Sequence, residues 1–194
     1  MIDDQESAST PRELSGLAKL VVVAGPTAVG KTGFGIDLAL QFNGEIVNAD
    51  SRYLYRGMDI GVAKPDILER QGIPHHLIDI CNPYDDMSLA TYQELAMQAI
   101  RLVLSRGKLP ILVGGTPLYV NAVVEGWRIP RVPPHPEIRI RLEAEAEEHG
   151  LAALAARLAA VDPVASERSS QNLRRVIRAL EVFEVTGQPM SELE

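Results

Sequence analysis

The run LVVVAGPTAVGKTG, residues 20–33, constrains the fold of this chain more than any other stretch. An apolar segment stops at a glycine, and GPTAVGKT then satisfies G-x-x-x-x-G-K-[ST] in full. The motif works only where a strand ends and a helix begins, because its backbone N–H groups must wrap an anion at the positive end of that helix. The sequence therefore predicts a buried strand over 20–25, a phosphate or diphosphate cradle, and a helix from Lys31. Gly25, Pro26, Thr27, Ala28, Val29 and Gly30 form the cradle, Lys31 adds a point charge, and the Thr32 hydroxyl is placed to hold Mg²⁺. The motif does not say whether the phosphate is transferred, hydrolysed or lost as a leaving group.

The alternation continues to about Val124 and predicts an α/β core with a parallel sheet flanked by helices, of the P-loop NTPase-like kind. The helix after Lys31 is expected to bury Phe34, Leu38 and Phe42 and to stop at Asn43-Gly44. EIVNADS (45–51), HHLIDI (75–80) and LPILVGG (109–115) read as three further strands. Residues 89–108 have helical periodicity between Ser88 as cap and Gly107 as stop, and another helix opens at Thr116.

Beyond Glu125 the character changes. WRIPRVPPHP is a proline-rich connector. A charged helix follows over 136–149, with Arg139–Glu143 and Arg141–Glu145 at pairing distance. LAALAARLAA makes the next helix, Asp162-Pro163 opens a short one, and 172–186 turns Leu173, Val176, Ile177 and Leu180 to one face before Gly187. The expected organisation is an N-terminal tail over 1–18, a P-loop core over 19–124 and a helical appendage over 125–194.

No apolar run reaches the roughly 18 residues of a membrane span, and the acidic N-terminus has no apolar stretch of a secretory signal. One cysteine, Cys81, excludes a disulfide framework within the chain. These features predict a cytoplasmic protein, expected as a monomer without membrane contact. The net charge of −7 argues against indiscriminate nucleic-acid binding. A local basic surface is still open, since residues 125–194 hold nine arginines against twelve acids.

Asp50 ends the second strand at the carboxyl edge of the sheet, where α/β sites form. Its functional reading, a general base or a magnesium-shell ligand, stands about even with a plain turn or cap residue. Asp79 is a weaker rival with the same placement. His75-His76 looks like a metal pair, but neighbours on a strand face opposite ways and no third ligand is evident. From these residues alone, a small-molecule kinase, an NTPase and a diphosphate-releasing transferase all remain open.

Longer strings discriminate. Thr27 within the loop, NADSRYLYRGMDIGVAKP (48–65), GIPHHLID (72–79), VGGTPLYVNAVVEG (113–126) and QNLRRVIRALEVFEVTGQPMSEL (171–193) together resemble the tRNA dimethylallyltransferase family in order and spacing. The resemblance covers residues 19–194. It implies that the loop holds the diphosphate of dimethylallyl diphosphate rather than the tail of ATP. It also implies that the five-carbon unit goes to N6 of the adenosine 3′ of a tRNA anticodon. On this resemblance Asp50, Lys31 and Thr27 are catalytic, with Mg²⁺ as cofactor and the tRNA anticodon stem-loop as partner. The tRNA contacts it implies are Asp50, Ser51, Arg52 and Tyr53, then Thr116 and Arg139, then Gln171, Asn172, Leu173, Arg174 and Arg175.

Each contact has a plainer alternative: Thr116 as a helix cap, Arg139 as a partner of Glu143, Arg174 and Arg178 as one exposed face. Tyr53 stands where the family often has glutamine, and Val62 where threonine is common. Members of the family normally continue past the equivalent of Glu194 to finish the core, so a C-terminally shortened chain with an incomplete sheet is the expectation. The rivals are an adenylate isopentenyltransferase acting on a free nucleotide and a non-catalytic remnant that binds diphosphate or RNA.

Overall fold

The computed structural model describes residues 19–194, so the expected 1–18 tail lies outside the described residues. The described residues divide into two compact units, the boundary falling between Val124 and Glu125. In the first, strands β1 (Val21–Ala24), β2 (Gly44–Asn48), β3 (His75–His76) and β4 (Leu109–Gly114) form one parallel sheet in the order β1-β4-β2-β3. Helices α1 (Lys31–Phe42), α2 (Leu89–Ser105) and α3 (Pro117–Val124) connect and cover it.

The sheet is two-sided, as parallel sheets with crossover helices must be. Ile46, Ile111, Val113 and Val23 pack with Ile36 and Ala39 of α1. One residue out of phase, Val47 and Leu112 turn to the other face and meet Tyr92, Ala96 and Ile100 of α2 and Tyr119 and Val123 of α3. The Tyr92 and Tyr119 rings stack at 3.7 Å.

Three expectations for this unit are corrected. Only Val23 of β1 is buried, and Val22 is exposed, because β1 lies at the end of the strand order. On α1 the buried residues are Gly35, Ile36 and Ala39, whereas Phe34 and Phe42 are exposed. The reason is clearance: a Cβ on Gly35 would lie 2.8 Å from Val113 Cγ2, so the helix approaches the sheet most closely at Gly35, with Ile36 and Ala39 buried beside it. The strand expected over 75–80 is two residues long. Leu77 (φ 62°) and Asp79 (φ 57°) take left-handed conformations that no strand accommodates.

The second unit contains α4 (Pro136–His149), α5 (Leu151–Val161), α6 (Pro163–Ser169), α7 (Leu173–Thr186) and a short α8 (Met190–Leu193). Its core is Leu142, Leu154, Leu158, Val176, Ile177, Ala179 and Leu180. Leu173 is exposed instead of joining that face. The i,i+4 pairs expected on α4 are replaced by cross-helix ones: Arg139 binds Glu181, Arg141 binds Glu184, and Glu145 binds Arg157. Packing of α4 on α5 and α7 brings those acids nearer than the helix's own.

Asp162 does double duty. Its Oδ1 accepts from Ala165 N and caps α6, while Oδ2 accepts from Ser191 N and docks α8.

Candidate functional site

The glycine-rich loop joins β1 to α1 through three residues of positive φ: Gly25 (158°), Ala28 (66°) and Gly30 (83°). The sequence marks both glycines but gives no sign of the strained alanine. Lys31 Nζ donates to Pro26 O across the loop. Thr32, in the first turn of α1, lines the same small cavity as Tyr53, whose phenol donates to Ala63 O at 2.5 Å. Burial, and then the negative charge of Asp50, push that phenol up, so it stays a protonated donor.

Asp50 follows the end of β2 in a built turn. Asn48 Nδ2 donates to Asp50 O and to Leu77 O, each at 2.9 Å, and Asp50 N donates to Asn48 Oδ1 at 2.9 Å. Arg52 N donates to Asp50 Oδ1 at 3.0 Å. The turn thus occupies one carboxylate oxygen. The other, Oδ2, points toward Gly115: a Cβ built there would lie 3.6 Å from it, 3.6 Å from Lys31 Nζ and 3.5 Å from Gly25 O. Loop, lysine and acid converge on a glycine with no side chain to fill the space. The turn uses Oδ1 of Asp50 and leaves Oδ2 facing Gly115.

Gly115 carries no special mark in the sequence beyond its place in VGG. Its neighbour Gly114 is fixed by contact, since a Cβ there would fall 2.1 Å from Ala49 C. Asp79, the rival acid, is held by Lys64 at 2.6 Å, and Lys64 also binds Asp59 and Tyr55 O. It ties down the 57–64 loop.

The remaining residues singled out from sequence fall as follows. Thr116 does not cap its own helix with its side chain; Oγ1 accepts from Ser51 N at 3.0 Å and donates to Ser51 Oγ at 3.3 Å. Arg52 is exposed. Gln171, Asn172, Leu173, Arg174 and Arg175 are all exposed at the start of α7, where Asn172 Oδ1 accepts from Arg175 N. Arg178 does not share that exposed face, because it donates to Glu181 and to Val132 O. His76 Nε2 meets Glu45 Oε2 at 2.7 Å, and His75 Nδ1 meets Ile73 O at 2.8 Å. Burial pushes the His75 imidazole down, which keeps the ring neutral. Cys81 is buried and its thiol donates to Leu54 O. Among the described residues, no three His, Cys, Asp or Glu side chains cluster to hold a metal. No helix of the described residues is long and apolar enough to cross a membrane.

This geometry defines a parallel α/β protein whose glycine-rich loop faces a carboxylate at the carboxyl edge of the sheet. The family described as IPP transferase matches residues 53–194. The chain belongs to that family. It is similar to the tRNA dimethylallyltransferase of Thermomicrobium roseum, 58% identical over 176 residues that make 90% of this chain and 54% of that protein. The tRNA dimethylallyltransferase of a Roseiflexus species is 59% identical over 89% of this chain and 57% of its own length. The chain therefore spans about half the length of the curated relatives it matches. Among solved structures, a full-length tRNA isopentenylpyrophosphate transferase from Bacillus halodurans aligns with a TM-score of 0.58 and 46% identity, over 89% of this chain and 57% of that one. A eukaryotic dimethylallyltransferase acting on tRNA aligns at 0.70 and 31% identity, over 90% and 44%.

Proposed function

We propose that this chain carries the diphosphate-binding and proton-accepting part of a tRNA dimethylallyltransferase. The observation that carries the reading is the convergence of Gly25, Lys31 and Asp50 Oδ2 around Gly115. An anion held by the loop then lies beside a carboxylate that faces it with an unused oxygen.

The donor is dimethylallyl diphosphate and the acceptor the exocyclic N6 of an adenosine next to a tRNA anticodon. That amine is a poor nucleophile because its lone pair feeds the purine ring. As the nitrogen bonds to the allylic carbon, the carbon–oxygen bond breaks, diphosphate leaves with the bonding pair, and Asp50 takes the proton that N6 must lose. Charge accumulating on the diphosphate is met by Lys31, Thr27 and the loop amides. The Thr32 hydroxyl is a hard oxygen donor of the kind that suits Mg²⁺, an ion that keeps waters and substrate phosphates in its shell. Such a Mg²⁺ would neutralise part of the diphosphate charge. The adenosine must leave its stack to reach Asp50. Exposed Arg52, Arg174 and Arg175 are of the type that reads an RNA backbone and splayed bases.

The test is prenyl transfer followed by intact mass. The chain, Mg²⁺ and dimethylallyl diphosphate are incubated with an anticodon stem-loop, and with AMP in a parallel reaction. A gain on the hairpin alone supports the reading. A gain on AMP alone replaces it with an adenylate isopentenyltransferase. Binding of diphosphate without product in either reaction leaves a non-catalytic binder.

A further inference from the structure

Behind the loop, Thr32, Asn48, Tyr53 and His75 line a cavity of about 20 Å³ that Ile46 and Val113 close on its apolar side. That volume exceeds the roughly 10–15 Å³ a single water requires and is far below what a purine or a five-carbon chain needs. The Nε2 of His75 is buried and meets no hydrogen-bond partner among the described residues. A carbonyl only accepts, so the Nδ1 facing Ile73 O carries the proton, and the neutral ring turns a bare Nε2 lone pair to its surroundings. An acceptor left dry in that position would cost as much as a lost hydrogen bond. Asn48 cannot supply the missing donor, since its amide already serves Asp50 O and Leu77 O. Tyr53 is already committed as a donor to Ala63 O.

We infer that His75 anchors a single buried water, and through it positions the Thr32 hydroxyl from behind the loop. The water donates one proton to Nε2 and stands against Thr32 and Tyr53, which line the same cavity. It ties the short strand β3 to the first turn of α1. His75 is thus a positioning residue, with no contact to substrate. The water site stands on the geometry alone, whereas its bearing on diphosphate binding rests on the function proposed above.

Two variants separate the parts. His75→Asn keeps an amide N–H near the place of Nδ1 and removes Nε2, and His75→Gln returns a polar group near Nε2. A high-resolution crystal structure is expected to show one water within hydrogen-bond distance of Nε2, absent from the asparagine variant. Calorimetric titration with inorganic pyrophosphate in Mg²⁺ is expected to weaken about tenfold in His75→Asn, the worth of one buried hydrogen bond. His75→Gln should recover most of that loss, and titration in EDTA should be the same for all three proteins. A dry cavity at Nε2 overturns the water. A water-free variant that binds pyrophosphate with Mg²⁺ as the parent does, or loses affinity equally in EDTA, overturns the positioning role. Should the parent bind no pyrophosphate, the diphosphate reading fails, and the crystal structure still decides the water.

Discussion

Arg139 and Glu181 meet through two parallel hydrogen bonds, Nε to Oε1 at 2.7 Å and Nη2 to Oε2 at 2.9 Å. Glu181 is fully buried; Arg139 is not. The same carboxylate accepts from His135 N and from Arg178, which itself donates to Val132 O. One buried acid therefore fastens the end of the 125–135 connector, the start of α4 and the middle of α7. Any RNA contact by Arg139 must use the donor edge that Glu181 leaves free.

Removing that acid should loosen the helical unit. Glu181→Gln leaves Arg139 and Arg178 without their counter-charge, and a loss of about 3 kcal/mol is expected by the usual cost of breaking a buried pair. Denaturant unfolding of the parent and the variant measures it. Near-equal midpoints would show the pair to be idle.

The same residue predicts an acid limb. Burial alone would push the Glu181 carboxyl up, but Arg139, the His135 N–H and Arg178 outweigh it and hold the group at about 2. Its folded value lies below its unfolded one, so its stabilisation is complete above about pH 4.5 and is lost as pH falls toward 2. Asp162 is also held low, against burial, by hydrogen bonds from Ala165 and Ser191, and acts in the same direction. Unfolding midpoints taken from pH 7 down to pH 2 should fall in that window, and less steeply in Glu181→Gln.

Asp50→Asn should separate the two roles of this side chain. Asparagine Oδ1 can still accept from Arg52 N, so unfolding midpoints should move little, whereas prenyl transfer should fall about 10²–10⁴-fold with the loss of the base. A variant that unfolds early would assign Asp50 to the turn alone.

Lys31→Ala is expected to weaken pyrophosphate binding about 10–100-fold, the range for one hydrogen bond to a charged group. Calorimetry at low and moderate salt checks it, and the deficit should shrink as salt screens the lysine in the parent. An unchanged affinity would place the anion elsewhere.

On α1 the burial pattern predicts an inverted sensitivity. Phe34→Ser should change the stability of this chain by less than about 0.5 kcal/mol, as exposed substitutions do. Ile36→Ala should cost about 2–4 kcal/mol. The opposite order in denaturant unfolding would refute the placement of the helix.

What the sequence made legible follows from how local each signal is. The strand–loop–helix around Lys31 was readable because one eight-residue motif dictates its own backbone. The cap at Ser88 was readable because it needs only a side-chain oxygen beside the first turn of its helix. The buried face of α1 was not, because hydrophobicity pointed to Phe34 and Phe42 while the clearance between Gly35 and Val113 decided the matter. Nor were the partners of Arg139 and Arg141, which depend on how α4 lies against α7. In the site, Asp50 and Lys31 could be named from their motifs, but their meeting at Gly115 is a product of strand order. The orphaned Nε2 of His75 has no trace in sequence at all.

Gly115 has a use beyond marking that meeting point. Its φ is not among the positive ones, and an added methyl would find its neighbours at ordinary contact distance, 3.5–3.6 Å. Alanine there fits the protein's own contacts, and on the function proposed above it would intrude on the diphosphate held by the loop. Gly115→Ala would thus be quiet in folding and loud in occupancy. It offers a steric gauge of how closely the guest presses against the end of the sheet, and a pocket-shape handle for donors trimmed or enlarged by one carbon.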